Sequence, residues 1–226
     1  MNHTEMTYVL TGAEIYALAA VRGIGQIFGL FDEGSFPDSR QLPVVLASLA
    51  QKGLIYPQDG RLMADSGVDR LMSCYEDWDI ALALYFADES LPDICAIRGG
   101  SGILCSEGVL HQPNAVRMRL TDTAGVREQL EESGCLERIP ACPPRTAVPD
   151  STEDKEALQN FLTIKIQRRD GECTESAVLI GSAGCCVTDG GELRYAHREG
   201  ILTLITDALS VDSAESGDIL AQGKDV

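Results

Sequence analysis

The sequence predicts an α+β fold built from two antiparallel β-meanders, at about 80–122 and 162–207, that are related by a pseudo-twofold axis and have helices packed on one side. Two observations predict the strands: apolar and polar side chains alternate in segments such as 116–121 and 162–167, and glycine turns separate these segments. The third observation is a repeated spacing of turn residues, which predicts the duplication. Asp88, Gly99, Gly102 and Gly108 of the first copy match Asp170, Gly181, Gly184 and Gly190 of the second.

The duplication predicts a single domain, residues 1–226, made of two halves. The first half covers about 1–134 and the second about 158–216. The segment 135–157 between them contains several prolines and has no hydrophobic periodicity, which predicts an extended linker. The polar residues 217–226 are expected to fray.

Capping residues predict where the first two helices begin. Thr11 and Glu14 have the S/T-x-x-E spacing of a capping box, in which each side chain accepts a hydrogen bond from the other residue's backbone N–H. A second helix is expected from about Ser39, with Pro43 in its first turn, where a missing N–H costs no helical hydrogen bond. Gly53 suits the position just beyond its end.

A small hairpin and two further helices complete the expected helical part. The residues 57–60 form a turn-rich tetrapeptide between apolar segments, which predicts the hairpin. Ser66 can cap a third helix, and Asp122 or Thr123 can cap a fourth that runs to about Glu132. In the second copy, residues 201–207 are expected to form the closing strand, as the counterpart of 116–122.

The composition indicates an acidic globular protein. The chain has 226 residues, of which 44% are hydrophobic, and this is enough to bury a core. Its net charge of −17 opposes binding to nucleic-acid phosphates and to anionic lipid. The N-terminal residues do not have the pattern of a signal peptide, and no segment approaches the ~18 apolar residues of a membrane span, so we expect a cytoplasmic protein.

The cysteines do not have the spacing of metal ligands. The sequence contains eight, but no Cys-x-x-Cys pair and no histidine near a cysteine at zinc-ligand spacing. We therefore expect buried thiols and no metal or cofactor. The adjacent Cys185 and Cys186 would point to opposite faces of a strand.

No catalytic constellation is evident, so the sequence predicts that the protein is not an enzyme. The glycine-rich segment 99–102 lacks the Gly-Lys-Ser/Thr ending of a phosphate loop, and Ser101 has no evident histidine partner. The acidic residues of segment 76–79 surround Trp78 and could bind a cation or form a paired acid site. Such clusters are more often a solvated face with the tryptophan turned inward.

The order of the first elements is also that of a winged-helix transcriptional regulator, which is the alternative function. Two helices, a hairpin and a third helix follow one another, and the helix from 39 to 52 would enter the DNA groove. The charge opposes this alternative, because residues 1–75 carry five basic and eight acidic residues, a net charge of −3.

Four segments carry a family resemblance: 10–18 (LTGAEIYAL), 46–55 (Leu46-x-x-Leu-x-x-Lys-Gly-Leu-Ile), 59–61 (DGR) and 80–86. In this order they resemble the EspG family of cytosolic chaperones for substrates of type VII (ESX) secretion. The resemblance implies a pseudo-twofold α+β fold and a chaperone or adaptor function. This chain is shorter and richer in cysteine than typical members. After Asp207 it also leaves little room for the C-terminal helices that contact PE–PPE substrates in the family.

The partner implied by the resemblance is a helical secreted protein, and neither nucleic acid nor a membrane span is expected. We expect the contact at two turns and at the aromatic loop 29–39. The residues concerned are Gly99, Gly102, Gly181, Gly184, Phe31 and Phe36. The alternative for Phe31 and Phe36 is that they anchor the loop to the core.

Overall fold

The computed structural model describes residues 6–30, 37–112, 114–140, 158–181, 184–189 and 192–210. These residues form eleven strands and five helices. The first half contains β1 (Tyr8–Thr11), α1 (Gly12–Arg22), α2 (Leu42–Gln51), β2 (Ile55–Gln58), β3 (Arg61–Ala64), α3 (Ser66–Glu76), β4 (Ile80–Phe86), β5 (Ile94–Gly99), β6 (Gly102–Gly108), β7 (Ala115–Thr121) and α4 (Thr123–Glu132). The second half contains β8 (Gln159–Arg168), β9 (Cys173–Gly181), β10 (Gly184–Asp189), β11 (Glu192–Tyr195) and α5 (Arg198–Ser210).

Nine of the strands form one antiparallel sheet in the order β1-β7-β6-β5-β4-β8-β9-β10-β11. β2 and β3 form a separate two-stranded hairpin. Each meander therefore runs outward from the centre of the sheet, where β4 pairs with β8. This architecture confirms the α+β fold with two antiparallel meanders.

The pseudo-twofold relation is visible in the strand register. Ala83 and Lys165 are Cα partners at the middle of the β4–β8 pair, and their residue numbers differ by 82. The same difference separates Gly99 from Gly181, each of which pairs with the other glycine of its own hairpin turn, Gly102 and Gly184 respectively. Gly99 and Gly102 therefore occupy positions equivalent to those of Gly181 and Gly184, as the sequence predicts, and the strand order of the two meanders is the same. Gly190, the predicted match of Gly108, lies outside the described residues.

The predicted closing strand of the second meander is wrong. Residues 201–207 lie in α5, and the fourth strand of this meander is β11, which ends at Tyr195. The buried residues Ile201, Leu202, Ile205 and Leu209 have helical spacing, because they recur on one side at every third or fourth position. A short apolar run such as 201–205 does not distinguish helix from strand by periodicity alone. α5 is the counterpart of α4, the helix that follows the first meander.

The helices lie on both faces of the sheet, so the prediction that they pack on one side is wrong. Ile80, Leu82 and Leu84 of β4 belong to a core shared with α4 and α5, whereas Ala81 belongs to a core shared with α1 and α3. β5 divides in the same way between the two cores. The cause is that β4 and β5 are almost continuously apolar, as expected for strands buried on both faces.

The predicted helix starts are confirmed at α1 and α4 and shifted elsewhere. Thr11 accepts a hydrogen bond from the Glu14 N–H and the Glu14 carboxylate accepts one from the Thr11 N–H, which completes the capping box. Asp122 caps α4 through a 2.9 Å hydrogen bond from the Gly125 N–H. α3 is capped by Asp65 instead of Ser66. α2 begins at Leu42, three residues later than predicted.

Glu14 ties α1 to α2 and to the edge of the sheet, although it is only 3% exposed. Its carboxylate accepts hydrogen bonds from Ser48 Oγ at 2.8 Å and from Lys52 Nζ at 2.8 Å. Lys52 Nζ also donates to the Val9 carbonyl of the edge strand β1 at 3.2 Å. Burial raises the pKa of Glu14, but the hydrogen bonds from Lys52, the Thr11 N–H and Ser48 outweigh burial and lower it below the ordinary value. The buried charge is thus fully partnered.

We expect Glu14→Ala to lower the free energy of unfolding by about 1–3 kcal/mol, because it removes a capping interaction and an acceptor from Lys52 and Ser48. Chemical denaturation at pH 7 measures this change. The matched control is Glu89→Ala, since Glu89 is exposed. An equal loss of stability in both variants would contradict the role given to Glu14.

Protonation of the Glu14 carboxylate makes the stability of the fold depend on pH. A group with a lowered folded-state pKa stabilises the fold above its unfolded pKa, and the contribution is lost as the pH falls through the folded pKa. We therefore expect the Glu14→Gln variant to lose less stability than the parent protein between about pH 5 and pH 3. Thermal unfolding of both proteins across that pH range measures the difference. Parallel plots of melting temperature against pH would refute this expectation.

Candidate protein-binding surface

The two glycine turns predicted as partner contacts lie at opposite ends of the sheet. β4 and β8 are antiparallel, with Ile80 beside Arg168 and Phe86 beside Leu162. The turn at Gly99 and Gly102 follows Arg98. Because Arg98 pairs with Ile80, this turn lies at the end of the sheet where Ile80 is beside Arg168. The turn at Gly181 and Gly184 follows Ile180, which pairs with Gln159 at the other end. The structure does not bring the four glycines into one site.

Contacts within the chain explain the glycine at position 99, and backbone conformation explains the glycine at position 102. A Cβ built at Gly99 would lie 3.0 Å from the Cα and the carbonyl oxygen of Cys74, so glycine allows α3 to approach the sheet. Gly102 has a φ of 126°, in the region that L side chains rarely adopt. Gly184 has a similar φ of 134°.

Phe31 and Phe36 lie outside the described residues, but the start of their loop borders a cleft of about 260 Å³. Phe28 forms one wall of the cleft and packs edge-on against Trp78, with ring centroids 4.4 Å apart. The remaining lining comes from α1, β4, β5, β8 and β9. Among the lining residues are Tyr16, Gly29, Tyr85, Cys95, Lys165 and Cys173.

The cleft opens onto a part of the sheet that no described helix covers. We call this part the open face: the side chains of β8–β11 that point away from α5, together with Tyr85 of β4. Strand register places these side chains in rows across the sheet. One row contains Tyr85, Thr163 and Ala177, and a second contains Leu179, Cys186 and Tyr195.

The open face is half apolar and carries one charged pair. Ala177, Leu179 and Tyr195 are half-buried. Lys165 lies 3.2 Å from the Glu175 carboxylate, and its ammonium lies 5.8 Å from the centre of the Tyr85 ring. Both charged side chains are about half exposed, so this ion pair adds little to stability. The open face therefore combines half-buried apolar side chains with a solvated ion pair.

Burial raises the pKa of two groups in this part of the sheet, Tyr85 and Cys186. Burial raises the pKa of Tyr85, as does the nearby Cys95, and Lys165 only partly offsets the two. Burial also raises the pKa of the Cys186 thiol. The Tyr85 hydroxyl is therefore uncharged at neutral pH, and the Cys186 side chain lies beneath the surface, completely buried.

Two carboxylates of the acidic segment around Trp78 form ion pairs with arginines. Glu76 accepts hydrogen bonds from Arg22 at 2.9 and 3.1 Å, and Asp79 is held by the guanidinium of Arg98. Asp77 faces the β5–β6 turn, where a Cβ at Gly100 would collide with its carboxylate. Within the described ranges, no group of three or more His, Cys, Asp or Glu side chains could hold a metal ion.

The expectation of buried thiols is confirmed for most of the described cysteines. Cys173 is the exposed one, and the buried set comprises Cys74, Cys95, Cys105, Cys135, Cys185 and Cys186. Burial raises the pKa of Cys95 to about 12 and, together with Asp77, that of Cys74 to about 11. Thiols with such pKa values are poor nucleophiles at neutral pH.

Sequence reasoning missed the open face, although part of its signal was present. The alternation of Thr163, Lys165 and Gln167 with apolar residues indicated that β8 has one wet face. The apolar contribution of Tyr195 was hidden because β11 was not recognised as a strand. None of the described helices has the length and apolar content that crossing a bilayer requires.

The fold is similar to that of a solved secretion chaperone. The structure of the Mycobacterium tuberculosis type VII secretion system chaperone EspG5 in complex with the PE25–PPE41 dimer matches with a TM-score of 0.53, over 90% of this chain and 95% of that chain. The two sequences are 12% identical, so the match concerns the fold alone. No protein-family model and no curated protein sequence matches the chain. The protein therefore has an EspG-like fold.

Proposed function

We propose that this protein is a cytoplasmic binding protein, a chaperone or adaptor that shields an apolar part of a helical type VII secretion substrate until export, without catalysis. The observation that carries the proposal is the open face, a partly apolar sheet surface that no described helix covers, in a fold that resembles EspG5. The solved EspG5 complex contains a PE25–PPE41 dimer, and a helical substrate of that general kind is the partner we propose here.

The chemistry of the open face suits a reversible protein contact. Leu179, Ala177 and Tyr195 supply apolar area that becomes fully dehydrated only when another surface covers it. Lys165 and Glu175 can form hydrogen bonds with polar groups at the edge of a partner's apolar surface. The groups that remain in water are mostly neutral, so burial of the apolar part costs little electrostatic desolvation.

The charge of the whole molecule suits a chaperone as well. A net charge of −17 causes copies of the protein to repel one another, which opposes self-association through the apolar part of the open face. The absence of catalysis is part of the proposal, and it is supported by the buried thiols and by the ion-paired carboxylates near Trp78.

The proposal is tested by affinity purification of the tagged protein from its native host, followed by mass spectrometry. We expect a small helical secretion substrate to be recovered in stoichiometric amount. A matched purification of the Leu179→Glu variant should recover at least tenfold less of it. Repeated recovery of nothing, or of metabolic enzymes alone, would count against the function.

A DNA-binding function makes a different prediction. α2, the helix that would enter the groove, contains no charged residue, and Lys52 just beyond it is held by Glu14. We therefore expect no binding tighter than ~10 µM to duplex DNA at ~100 mM salt. Fluorescence anisotropy with a mixed-sequence duplex measures this affinity. Salt-sensitive binding below that concentration would favour the winged-helix regulator over the chaperone.

A further inference from the structure

The β2–β3 hairpin presents exposed apolar side chains apart from the nine-stranded sheet. Tyr56 pairs with Met63 across the hairpin, and Pro57 pairs with Leu62. The exposed fractions of Tyr56, Leu62 and Met63 are 46%, 39% and 43%, which are high for large apolar side chains. A sheet of only two strands is marginally stable in water, so the addition of further strands would stabilise it.

The tight turn of the hairpin determines which backbone groups of β3 point outward. Asp59 and Gly60 have φ angles of 51° and 75°, and these two positive values are those of a two-residue type I′ turn. The residues that close such a turn form a hydrogen-bonded pair, so the next pair, Pro57 and Leu62, is not hydrogen-bonded. The N–H and C=O of Leu62 therefore point away from β2. Neither group has a hydrogen-bond partner among the described residues.

The two nearest strand edges differ from that of β3. On β2, Pro57 has no N–H to donate at the outward position opposite Leu62. On β1, the Thr11 N–H donates to the Glu14 carboxylate, and the Val9 carbonyl accepts a hydrogen bond from Lys52. Of these three edges, that of β3 alone has both a free donor and a free acceptor at one residue in the described part of the chain. An edge of this kind is a template for pairing with another strand.

The charge around the hairpin favours a second copy of this chain as the source of that strand. The whole chain has a net charge of −17, which causes two copies to repel each other. Residues 37–64, which include α2 and the hairpin, contain three basic and two acidic residues, a net charge of +1. This segment therefore adds no acidic repulsion of its own when two copies meet there.

We propose that two copies of this chain form a dimer by antiparallel pairing of their β3 strands, with the twofold axis at Leu62. The two Leu62 residues exchange both backbone N–H···O bonds, and the two hairpins become one four-stranded sheet. Arg61 of each copy then lies opposite Met63 of the other copy, so the aliphatic part of the arginine covers the methionine and no like charges face each other. The dimer goes beyond the proposed function, and its contact uses none of the strands of the open face.

Sedimentation equilibrium of the purified protein gives the first part of the test. The contact is small, so we expect a weak dimer, with a weight-average mass that rises from monomer toward dimer between ~10 and ~500 µM. Raising the salt concentration from ~0.05 to ~0.5 M should strengthen the dimer, because it screens the repulsion between two acidic molecules. A monomer mass at every concentration in both salts would overturn the proposal.

Substitutions at the twofold axis give the second part. Leu62→Glu and Leu62→Lys each place two like charges directly opposite each other, and we expect each to raise the dissociation constant at least tenfold. An equimolar mixture of these two variants should associate again, because glutamate then faces lysine. The mixture also shows that the loss in each variant alone is not caused by misfolding of the hairpin.

The matched control is Val44→Glu. This substitution changes the net charge as Leu62→Glu does, at a position of α2 that is 70% exposed, and it should leave the dissociation constant of the parent protein unchanged. Parent-like association of Leu62→Glu, or no association in the mixture of the two Leu62 variants, would overturn the β3 contact. An equal loss in Val44→Glu would also overturn it, since net charge alone would then explain the effect.

Discussion

The antiparallel pairing of β4 with β8 is the constraint on which the rest of the molecule depends. Residues 80–86 pair one by one with 162–168, and this ladder joins the two halves into a single sheet. Leu82, Leu84 and Ile164 of the central strands are almost completely buried, so the junction also lies in the core. Because a twofold passes through the Ala83–Lys165 pair, it sets the two glycine turns at opposite ends and places α4 and α5 on the same face of the sheet.

The two halves differ in what covers the face of the sheet opposite α4 and α5. The first half carries α1 and α3 on the face opposite α4, and their apolar side chains form a second core with the sheet. The described part of the second half has no such layer, and its equivalent surface combines half-buried aliphatic groups with a solvated ion pair. The described parts of the two copies thus share a strand order and differ in the layer that packs on this face.

Local signals in the sequence were sufficient for the capping box of Thr11 and Glu14, the cap at Asp122 and the paired glycine turns, because each depends on chemistry within a few residues. The helix at 201–207 could not be separated from a strand, since a compact apolar run satisfies both patterns. β4 is buried on both faces, whereas the second half has the open face. Both features depend on which elements pack over the sheet. Such packing joins residues far apart in the chain, and no local spacing records it.

Lys52 connects the stability of the first helix to the behaviour of the sheet at its border. Its ammonium donates a hydrogen bond to the Val9 carbonyl on the outer side of β1. Without this partner, the carbonyl would be open to pairing with a strand of another molecule. The Glu14 carboxylate holds the lysine in that position. Protonation or loss of this carboxylate would therefore weaken the helix cap. It would also leave the edge of β1 free to pair with another molecule, so that a modest loss of stability would be accompanied by a tendency to aggregate.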